Sequence, residues 1–394
     1  MDRYGNVMGK RRLFLVWSCL VSVILPGMAQ AGRLIDYVNP FVGTDGYGNV
    51  YPGAQIPFGG IQMSPDTDSK YYDAASGYKY KHPTLLGFSL MHLSGTGIPD
   101  LGDFLFIPGT GEMKLEPGTH EEPGKGYRSR YSHEREWASP NYYAVELADY
   151  GVKAEMTSGI RSGMFRFTYP ASEKAFIMID MNHTLWQSCE WSNLRMENDS
   201  TITGYKLVKG WGPERHIYFA AIFSRKLTGL RFMQDGKPVV YNTSRFRSCY
   251  EAWGKNLMAC ISFDTKAGEE VIVKTAISAV STNGAKNNMG ELSGLTFDEL
   301  KVKGETLWEK ELEKHVLTAD HRTKRTFYTS AYHAALHPFI FQDADGQFRG
   351  LDKNIGKAEG FTNYTVFSLW DTYLVQSRSA GSKRGYCQFN VGTL

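Results

Sequence analysis

The sequence predicts a mainly β chain in which an N-terminal β-sandwich is followed by helices. Several segments between residues 142 and 279 alternate apolar and polar residues, as strands with one buried face do. Aromatic residues make up 13% of the chain and glycine contributes 41 of its 394 residues, a composition typical of strands joined by turns. Near residue 284 the alternation gives way to charged, helix-forming sequence. We therefore expect a sandwich domain over residues 32–285 and linker helices after it.

Length and charge limit the possible functions. A chain of 394 residues is long enough for more than one core. Its 44 Lys and Arg residues nearly balance its 41 Asp and Glu residues, so nothing in the net charge favours nucleic acid or an anionic membrane surface. The many aromatic side chains favour instead partners with flat apolar faces, such as sugar rings.

The first 31 residues have the pattern of an export signal. Lys10 to Arg12 are basic, Leu13 to Leu25 are mostly apolar, and Ala29-Gln30-Ala31 resembles a cleavage site. No later apolar run is long enough to span a bilayer. We expect a mature protein that begins near Gly32, needs no membrane after signal removal, and is periplasmic or secreted.

Individual elements follow from local patterns. Residues 34–79 carry too many Gly and Pro residues for a helix and are predicted to be loop-rich. Thr296, followed by Asp298 and Glu299, is predicted to cap a helix, and a second helix is predicted over residues 323–336. Strands are predicted at Tyr142–Leu147, Lys153–Thr157, Phe165–Tyr169, Ala175–Ile179, Thr201–Val208, Ile217–Phe223, Leu257–Phe263 and Val271–Ala279.

The stretch from Gly87 to Asp103, GFSLMHLSGTGIPDLGD, is the main candidate for a functional site. An apolar run leads to His92, a Gly-Thr-Gly turn and two carboxylates, which places donors and acceptors beside a backbone that can approach a ligand closely. The same residues also suit a turn-rich β-hairpin with polar tips. Local sequence leaves both interpretations open.

Four motifs identify a family resemblance. NPFVGTDGYGNVYPGAQIPFG, GYKYKHPTLLGFSLMHLSGTG, DADGQFRGLDKNI and GFTNYTVFSLWDTY occur in this order. Together they resemble the amino-terminal part of glycoside hydrolase family 92, which consists of calcium-dependent, inverting exo-α-mannosidases. The resemblance covers residues 34–373. It implies that the linker helices lead into an (α/α)6 helical barrel, so residues 286–373 would hold the linker helices and only the first, incomplete part of that barrel.

The resemblance implies that the general acid, the general base and most calcium ligands lie in the barrel, beyond Tyr373. We therefore assign no catalytic residue and no metal ligand in this chain, although calcium is the expected cofactor. Residues 374–394 carry no helical pattern and depart from the family. We expect them to be an aberrant tail, produced by a frameshift or truncation.

The resemblance also implies substrate contacts. Trp370 and Asp371 match a Trp-Asp pair that faces the terminal mannose, where an indole packs on the ring and a carboxylate accepts hydrogen bonds from hydroxyls. Without the resemblance, Trp370 would be interpreted as a core helix residue. The further candidate substrate-binding residues, from the two glycine-rich segments of the sandwich, are Thr44, Asp45, His92, Thr96 and Asp100.

Three functions are compatible with these patterns. The first is a fragment of a secreted, exo-acting, inverting α-mannosidase of the α-1,2 type that trims mannose from glycoprotein N-glycans and is inactive as this chain. Ile98-Pro99-Asp100 depart from the patterns associated with α-1,2 specificity and leave the linkage open. The second is a non-catalytic β-sandwich that binds mannose-containing glycans. The third is an enzyme of the disaccharide phosphorylase type.

Overall fold

Two antiparallel β-sheets form the centre of the structure. The computed structural model describes residues 32–69, 74–240 and 250–365. The predicted signal peptide, Trp370, Asp371 and the predicted tail therefore lie outside the described residues. Within them, no helix combines the length and the apolar character needed to cross a membrane. Strands and helices are numbered below in chain order.

The first sheet has seven strands. In spatial order they are β1 (Ser64–Asp66), β3 (Gly87–Ser89), β4 (Leu105–Thr110), β10 (Ser172–Asp180), β17 (Leu257–Thr265), β14 (Gly229–Gln234) and β15 (Lys237–Pro238).

The second sheet has nine strands. In spatial order they are β16 (Glu251–Gly254), β11 (Ser188–Asn198), β12 (Thr201–Lys209), β13 (Arg215–Phe223), β18 (Glu269–Ser278), β9 (Ser162–Tyr169), β8 (Val152–Ser158), β7 (Tyr142–Leu147) and β6 (Glu136–Ser139).

Three strand pairs and three α-helices complete the regular structure of the described residues. The pairs are β2 (Thr84–Leu85) with β5 (Ser129–Arg130), β19 (Phe339–Ile340) with β22 (Tyr364–Thr365), and β20 (Gln347–Arg349) with β21 (Ile355–Lys357). The helices are α1 (Thr282–Asn288), α2 (Phe297–Leu312) and α3 (His321–Ala334). Single 3-10 turns lie at Leu34–Tyr37, Pro123–Lys125, His133–Arg135 and Met289–Leu292.

The core lies between the two large sheets. Phe106 of the first sheet and Phe165 of the second have ring centroids 5.1 Å apart. Phe104, which precedes β4, and Phe219 of β13 have centroids 4.5 Å apart. These contacts confirm the predicted mainly β chain with an N-terminal sandwich. The helical barrel remains a prediction, since α1 to α3 do not form one by themselves.

Alternation places the core side chains of β9 as the sequence predicts. Phe165 and Phe167 are fully buried, whereas Arg166 between them is partly exposed. Successive side chains of a strand point to opposite faces, so Arg166 lies on the outer face of the sheet. There its guanidinium pairs with Glu155 of β8 and with Asp298 of α2. The first helices therefore contact the outer face of this sheet through ion pairs as well as through apolar side chains.

Helix α2 begins with the predicted cap. The Thr296 hydroxyl accepts a hydrogen bond from the Glu299 backbone N–H, while the Glu299 carboxylate accepts from the Thr296 N–H. This reciprocal pair satisfies two donors that a helix start otherwise leaves open. Further along, the fully buried Trp308 donates from Nε1 to the carbonyl of Gln55 over 2.7 Å, and its ring lies 4.5 Å from that of Tyr332 in α3. Helices α2 and α3 are therefore fixed to the glycine-rich loop that precedes the sandwich.

A glycine allows α2 to approach the start of β7 closely. A Cβ atom on Gly304 would lie 1.7 Å from Nδ2 of Asn141. That amide cannot move freely, because it donates to the Thr157 hydroxyl over 3.1 Å and to the Ser158 carbonyl over 2.9 Å. The helix is thus packed on the sandwich at a distance that only a glycine permits.

We predict that Gly304→Ala destabilises the protein, although alanine is the better helix former. The clash with Asn141 should cost about 1–3 kcal/mol in the free energy of unfolding, against the ~1 kcal/mol that alanine gains in helix propensity, which leaves a net loss of up to about 2 kcal/mol. Thermal and denaturant unfolding measure the change. Gly290→Ala is the matched control, because a Cβ atom there meets nothing within 4 Å. Equal stability of the two variants would contradict the close contact.

Candidate functional site

The stretch from Gly87 to Asp103 connects two neighbouring strands of the first sheet. Phe88 of β3 pairs with Phe106 of β4, and the residues between the strands leave the sheet as a long excursion. The glycine-rich turn at its tip is held by the Gly95 N–H, which donates to the Asn49 carbonyl over 2.7 Å. The stretch is therefore the connection of a β-hairpin and, as described next, also the wall of a cleft.

A cleft with a cavity volume of about 80 Å³ lies beside this stretch. Three distant parts of the chain line it. The excursion supplies Met91, Leu93, Asp100 and Leu101; the turn before β13 and its start supply Gly212, Glu214, Arg215 and His216; the segment after α3 supplies Phe339, Phe341, Arg349, Gly350, Leu351, Lys353 and Thr365. The cleft thus combines apolar surface with charged groups.

A cluster of four charged side chains lies at the cleft wall and behind it. Asp103 and Lys206 are fully buried, and Lys206 Nζ lies 3.3 Å from Oδ1 of Asp103. Arg215 binds the other carboxylate oxygen of Asp103 through Nη1. Its Nη2 lies 3.5 Å from Oδ1 of Asp100, which lines the cleft. The cluster therefore extends from the core to the ligand space.

Its cations keep the buried carboxylate charged. Burial alone raises the pKa of Asp103, but the positive charges of Arg215 and Lys206 outweigh it and hold this pKa below its ordinary value. A buried carboxylate with two cationic partners has the compensation that such a group needs. The ion pair with the buried Asp103 consequently fixes the orientation of the Arg215 side chain at the cleft.

A second buried cluster lies beneath the excursion. Nε2 of His92 is 2.9 Å from one oxygen of Asp66, and Nε2 of His183 is 2.8 Å from the other. Nδ1 of His92 lies 2.8 Å from the carbonyl of Gln62, and the Ser89 hydroxyl lies 3.0 Å from Nε2. A carbonyl and an ionised carboxylate both only accept, so this geometry fits a His92 protonated on both nitrogens and facing a charged Asp66.

The two clusters share a contact. The carbonyl of His183 accepts a hydrogen bond from Nζ of Lys206, which also pairs with Asp103. Burial alone raises the pKa of Asp66, but the His92 charge and the hydrogen bond from His183 outweigh burial and lower that pKa well below its ordinary value. Hydrogen bonds and ion pairs thus connect His92 to the cleft wall, with the His183 backbone carbonyl as the link between the two clusters.

The predicted site residues have different positions. Asp100 lines the cleft. His92 is fully buried with both nitrogens bonded to protein atoms, which argues against direct substrate contact and for a supporting role. Thr44 is buried and donates to the Phe41 carbonyl over 2.8 Å, whereas Asp45 is exposed and accepts from the Gly46 N–H over 2.8 Å.

Thr96 is partly exposed, and its hydroxyl bonds both the N–H and the carbonyl of Ile98 at 3.2 Å. The contact between Gly95 and Asn49 brings this turn beside the loop of Thr44 and Asp45. The structure thus groups the two glycine-rich segments. Of the candidates that it describes, Asp100 alone lines the cleft.

Sequence reasoning missed Lys206 and Arg215. A usable signal exists for Lys206, which occupies the same strand face as the buried Ile202 and Val208 in β12. A lysine at a core-facing position requires a buried acidic partner, so its presence predicts one. Arg215 offers no such signal, because it stands at the first position of β13 after a turn.

The described residues do not supply a metal centre. Across residues 32–69, 74–240 and 250–365, no three His, Cys, Asp or Glu side chains are grouped so as to hold a metal ion. The calcium ion stays a prediction, since most of its ligands are expected beyond Tyr373, outside the described residues.

Comparison with known proteins identifies clear relatives. Residues 37–278 match the glycosyl hydrolase family 92 N-terminal domain, and residues 284–379 match the family 92 catalytic domain. A GH92 alpha-mannosidase from Bacteroides thetaiotaomicron is 87% identical, with a TM-score of 0.85 over 87% of this chain and 46% of that protein. Its complex with mannoimidazole superposes equally well, with a TM-score of 0.85 over 87% of this chain and 45% of that one.

A curated relative is more distant. An uncharacterized secreted glycosidase from Arthroderma benhamiae is 25% identical over 344 residues, which are 80% of this chain and 43% of that protein. The chain thus spans a little under half the length of the relatives that it matches.

The pH dependence of stability tests the Asp66 cluster. Asp66→Asn should lower the free energy of unfolding by about 3 kcal/mol at pH 6, because it leaves buried histidines without their anion. Since the folded pKa of Asp66 is lowered, its contribution is present above the unfolded value of about 3.9 and is lost as pH falls through the folded pKa. The difference between the two proteins should therefore shrink in acid. Unfolding from pH 7 to pH 2 measures it, with the exposed Asp45→Asn as the control; a pH-independent difference refutes the ion pairs.

Proposed function

This chain belongs to glycoside hydrolase family 92, and from that membership we propose that it forms the sugar-binding part of a secreted, exo-acting, inverting α-mannosidase. The observation that carries the proposal is the cleft, where the sandwich and the segment after α3 meet around apolar and charged side chains. Sugars suit such a surface, since a ring has apolar C–H faces and a rim of hydroxyls.

The residues proposed to contact mannose follow the cleft residue Thr365 closely in the sequence. Thr365 lines the cleft, and Trp370 and Asp371 come five and six residues after it. We propose that Trp370 and Asp371 bind the terminal mannose, with Thr44, Asp45 and Thr96 in the surrounding loops.

The groups that react are proposed to lie outside the described residues. Inverting hydrolysis needs a general acid with a raised pKa and a general base, about 6.5–9.5 Å apart. Asp100 lies beside Arg215, and the hydrogen bond from His216 lowers the pKa of Glu214. Glu214 therefore does not suit the general acid. We propose that the chain as printed binds mannosides without hydrolysing them.

The substrate is proposed to be terminal mannose on glycoprotein N-glycans, with an α-1,2 linkage. The mannoimidazole complex of the 87% identical relative supports a mannose-shaped ligand. Calcium is proposed as the cofactor of the whole enzyme, held by residues outside the described part. The export pattern and the secreted glycosidase relative support a periplasmic or secreted location.

We expect this chain to bind α-mannobiose measurably in calorimetry and to release no product from an aryl α-mannoside, with calcium or with a chelator. Comparing α-1,2-, α-1,3- and α-1,6-linked mannobiose tests the linkage, and the tightest binding should be to the α-1,2 form. Galactobiose is the control ligand and should not bind.

Chelator-sensitive turnover by this chain would show that the reacting groups are present after all. Failure to bind any mannoside would remove the sugar-binding proposal itself. Two further assays separate the remaining alternatives. Product formation by this chain that requires phosphate indicates a phosphorylase. If a longer form of the protein binds mannosides but does not hydrolyse them, the protein is a carbohydrate-binding sandwich.

A further inference from the structure

The loop between β10 and β11 is attached to the excursion on both sides of Asp100. Nε2 of Gln187 donates to the Pro99 carbonyl over 2.7 Å, and the Leu185 N–H donates to the Leu101 carbonyl over 2.9 Å. Asp100 lines the cleft between these two anchored carbonyls. The β10–β11 loop therefore determines where this part of the cleft wall lies.

The amide of Gln187 also lies against a second wall of the cleft. A Cβ atom on Gly210 would lie 1.3 Å from Oε1 of Gln187, so the amide occupies space that only a glycine leaves open. Gly210 belongs to the turn before β13, and its N–H donates over 3.0 Å to the carbonyl of Gly212, which lines the cleft. Gln187 itself is not among the described residues that line the cleft. One side chain behind the cleft thus contacts both the excursion and the turn.

The backbone of the β10–β11 loop holds this amide in place. The Thr184 hydroxyl accepts from the Gln187 N–H over 3.2 Å and donates to the Gln187 carbonyl over 2.7 Å. Trp186 has a φ of 61°, in the left-handed region that residues other than glycine seldom adopt, and its N–H donates to the Ser69 carbonyl over 2.9 Å. Such a conformation costs free energy, persists only where surrounding contacts fix it, and is most frequent at functional sites.

We propose that Gln187 is a positioning residue of the cleft. Its amide sets the separation between the excursion and the turn before β13, and thereby selects which linkages between two sugar units the cleft accepts. A gap between fixed walls selects by excluding the wrong shape, and the bend between two sugar units depends on the hydroxyl that joins them. The inference rests on the proposed function, since it concerns ligand selection in the same cleft.

Hydrogen exchange tests the positioning without a ligand. Gln187→Ala removes the donor to the Pro99 carbonyl and frees the excursion to open locally. The N–H groups of Leu185 and of Gly102, which donates to the Met91 carbonyl over 2.8 Å, should then exchange about fivefold faster at pH 7, the change expected for the loss of one hydrogen bond. Unchanged exchange at both groups overturns the inference.

Gly210→Ala is the matched variant, because it displaces the amide and leaves Gln187 in the chain. It should raise the same two exchange rates as Gln187→Ala does. The double variant should exchange no faster than either single variant, since both substitutions remove one shared contact. Effects that simply add would show that Gln187 does not connect the two walls.

Calorimetry with α-1,2-, α-1,3- and α-1,6-linked mannobiose tests the selection. At pH 7, Gln187→Glu places a carboxylate, which only accepts, against the Pro99 carbonyl, and the ratio of the largest to the smallest Kd should fall about fivefold. At pH 4 most of the glutamic acid is neutral and its O–H donates to that carbonyl, so the ratio should return to that of the unaltered chain at the same pH. Comparison at equal pH removes the titration of Asp100 from the result.

Gln187→Ala has no group to protonate, so its ratio should stay reduced at both pH values. The control is Gln234→Glu in β14, which should change neither the ratio nor the exchange rates. An equal loss of affinity for all three ligands, or no recovery of Gln187→Glu at pH 4, overturns the positioning role, because a general loss of stability gives those results. If the unaltered chain binds no mannobiose, the proposed function fails, and the exchange rates alone support or overturn the positioning of the walls.

Discussion

The buried carboxylate of Asp103 constrains much of this structure. An ionised carboxylate in a protein interior requires cationic partners, and here they come from Lys206 and Arg215, both more than a hundred residues further along the chain. To meet them, the excursion between β3 and β4 must lie against the start of β13 and the middle of β12. Because Asp100 belongs to the same excursion, the requirement of one buried charge also determines which side chains line the cleft.

The helical segment depends on a different kind of contact. Trp308 carries a large apolar surface into a buried position, and its indole N–H is satisfied by the Gln55 carbonyl. Gln55 in turn donates to the carbonyls of Gly59 and Leu336, so the loop before the sandwich and the end of α3 share one amide. Apolar burial supplies most of the stabilisation there, while these hydrogen bonds fix the register of the helices on the sandwich.

Local sequence was sufficient wherever a local rule decides the structure. Alternation in β9 predicted which of Phe165, Arg166 and Phe167 face the core, and the Thr296 and Glu299 pair predicted the start of α2. It was insufficient where the partner is distant. The sequence around His92 is typical of a residue that contacts a ligand, yet its Nε2 pairs with the buried carboxylate of Asp66. The second histidine of this cluster, His183, comes from the loop after β10. Periodicity indicates on which face a side chain lies, but not which charge meets it there.

The three walls of the cleft are also separated widely along the chain, at residues 91–101, 212–216 and 339–365. No one supersecondary unit contains the cleft, so it forms only when the sandwich is complete and the last segment is docked on it. A ligand that touches all three walls is linked to that docking, and it stabilises the docked state by RT ln(1 + [L]/Kd). The affinity for such a ligand would therefore report on folding cooperativity, because local opening of the segment after α3 would abolish binding while both sheets of the sandwich persist.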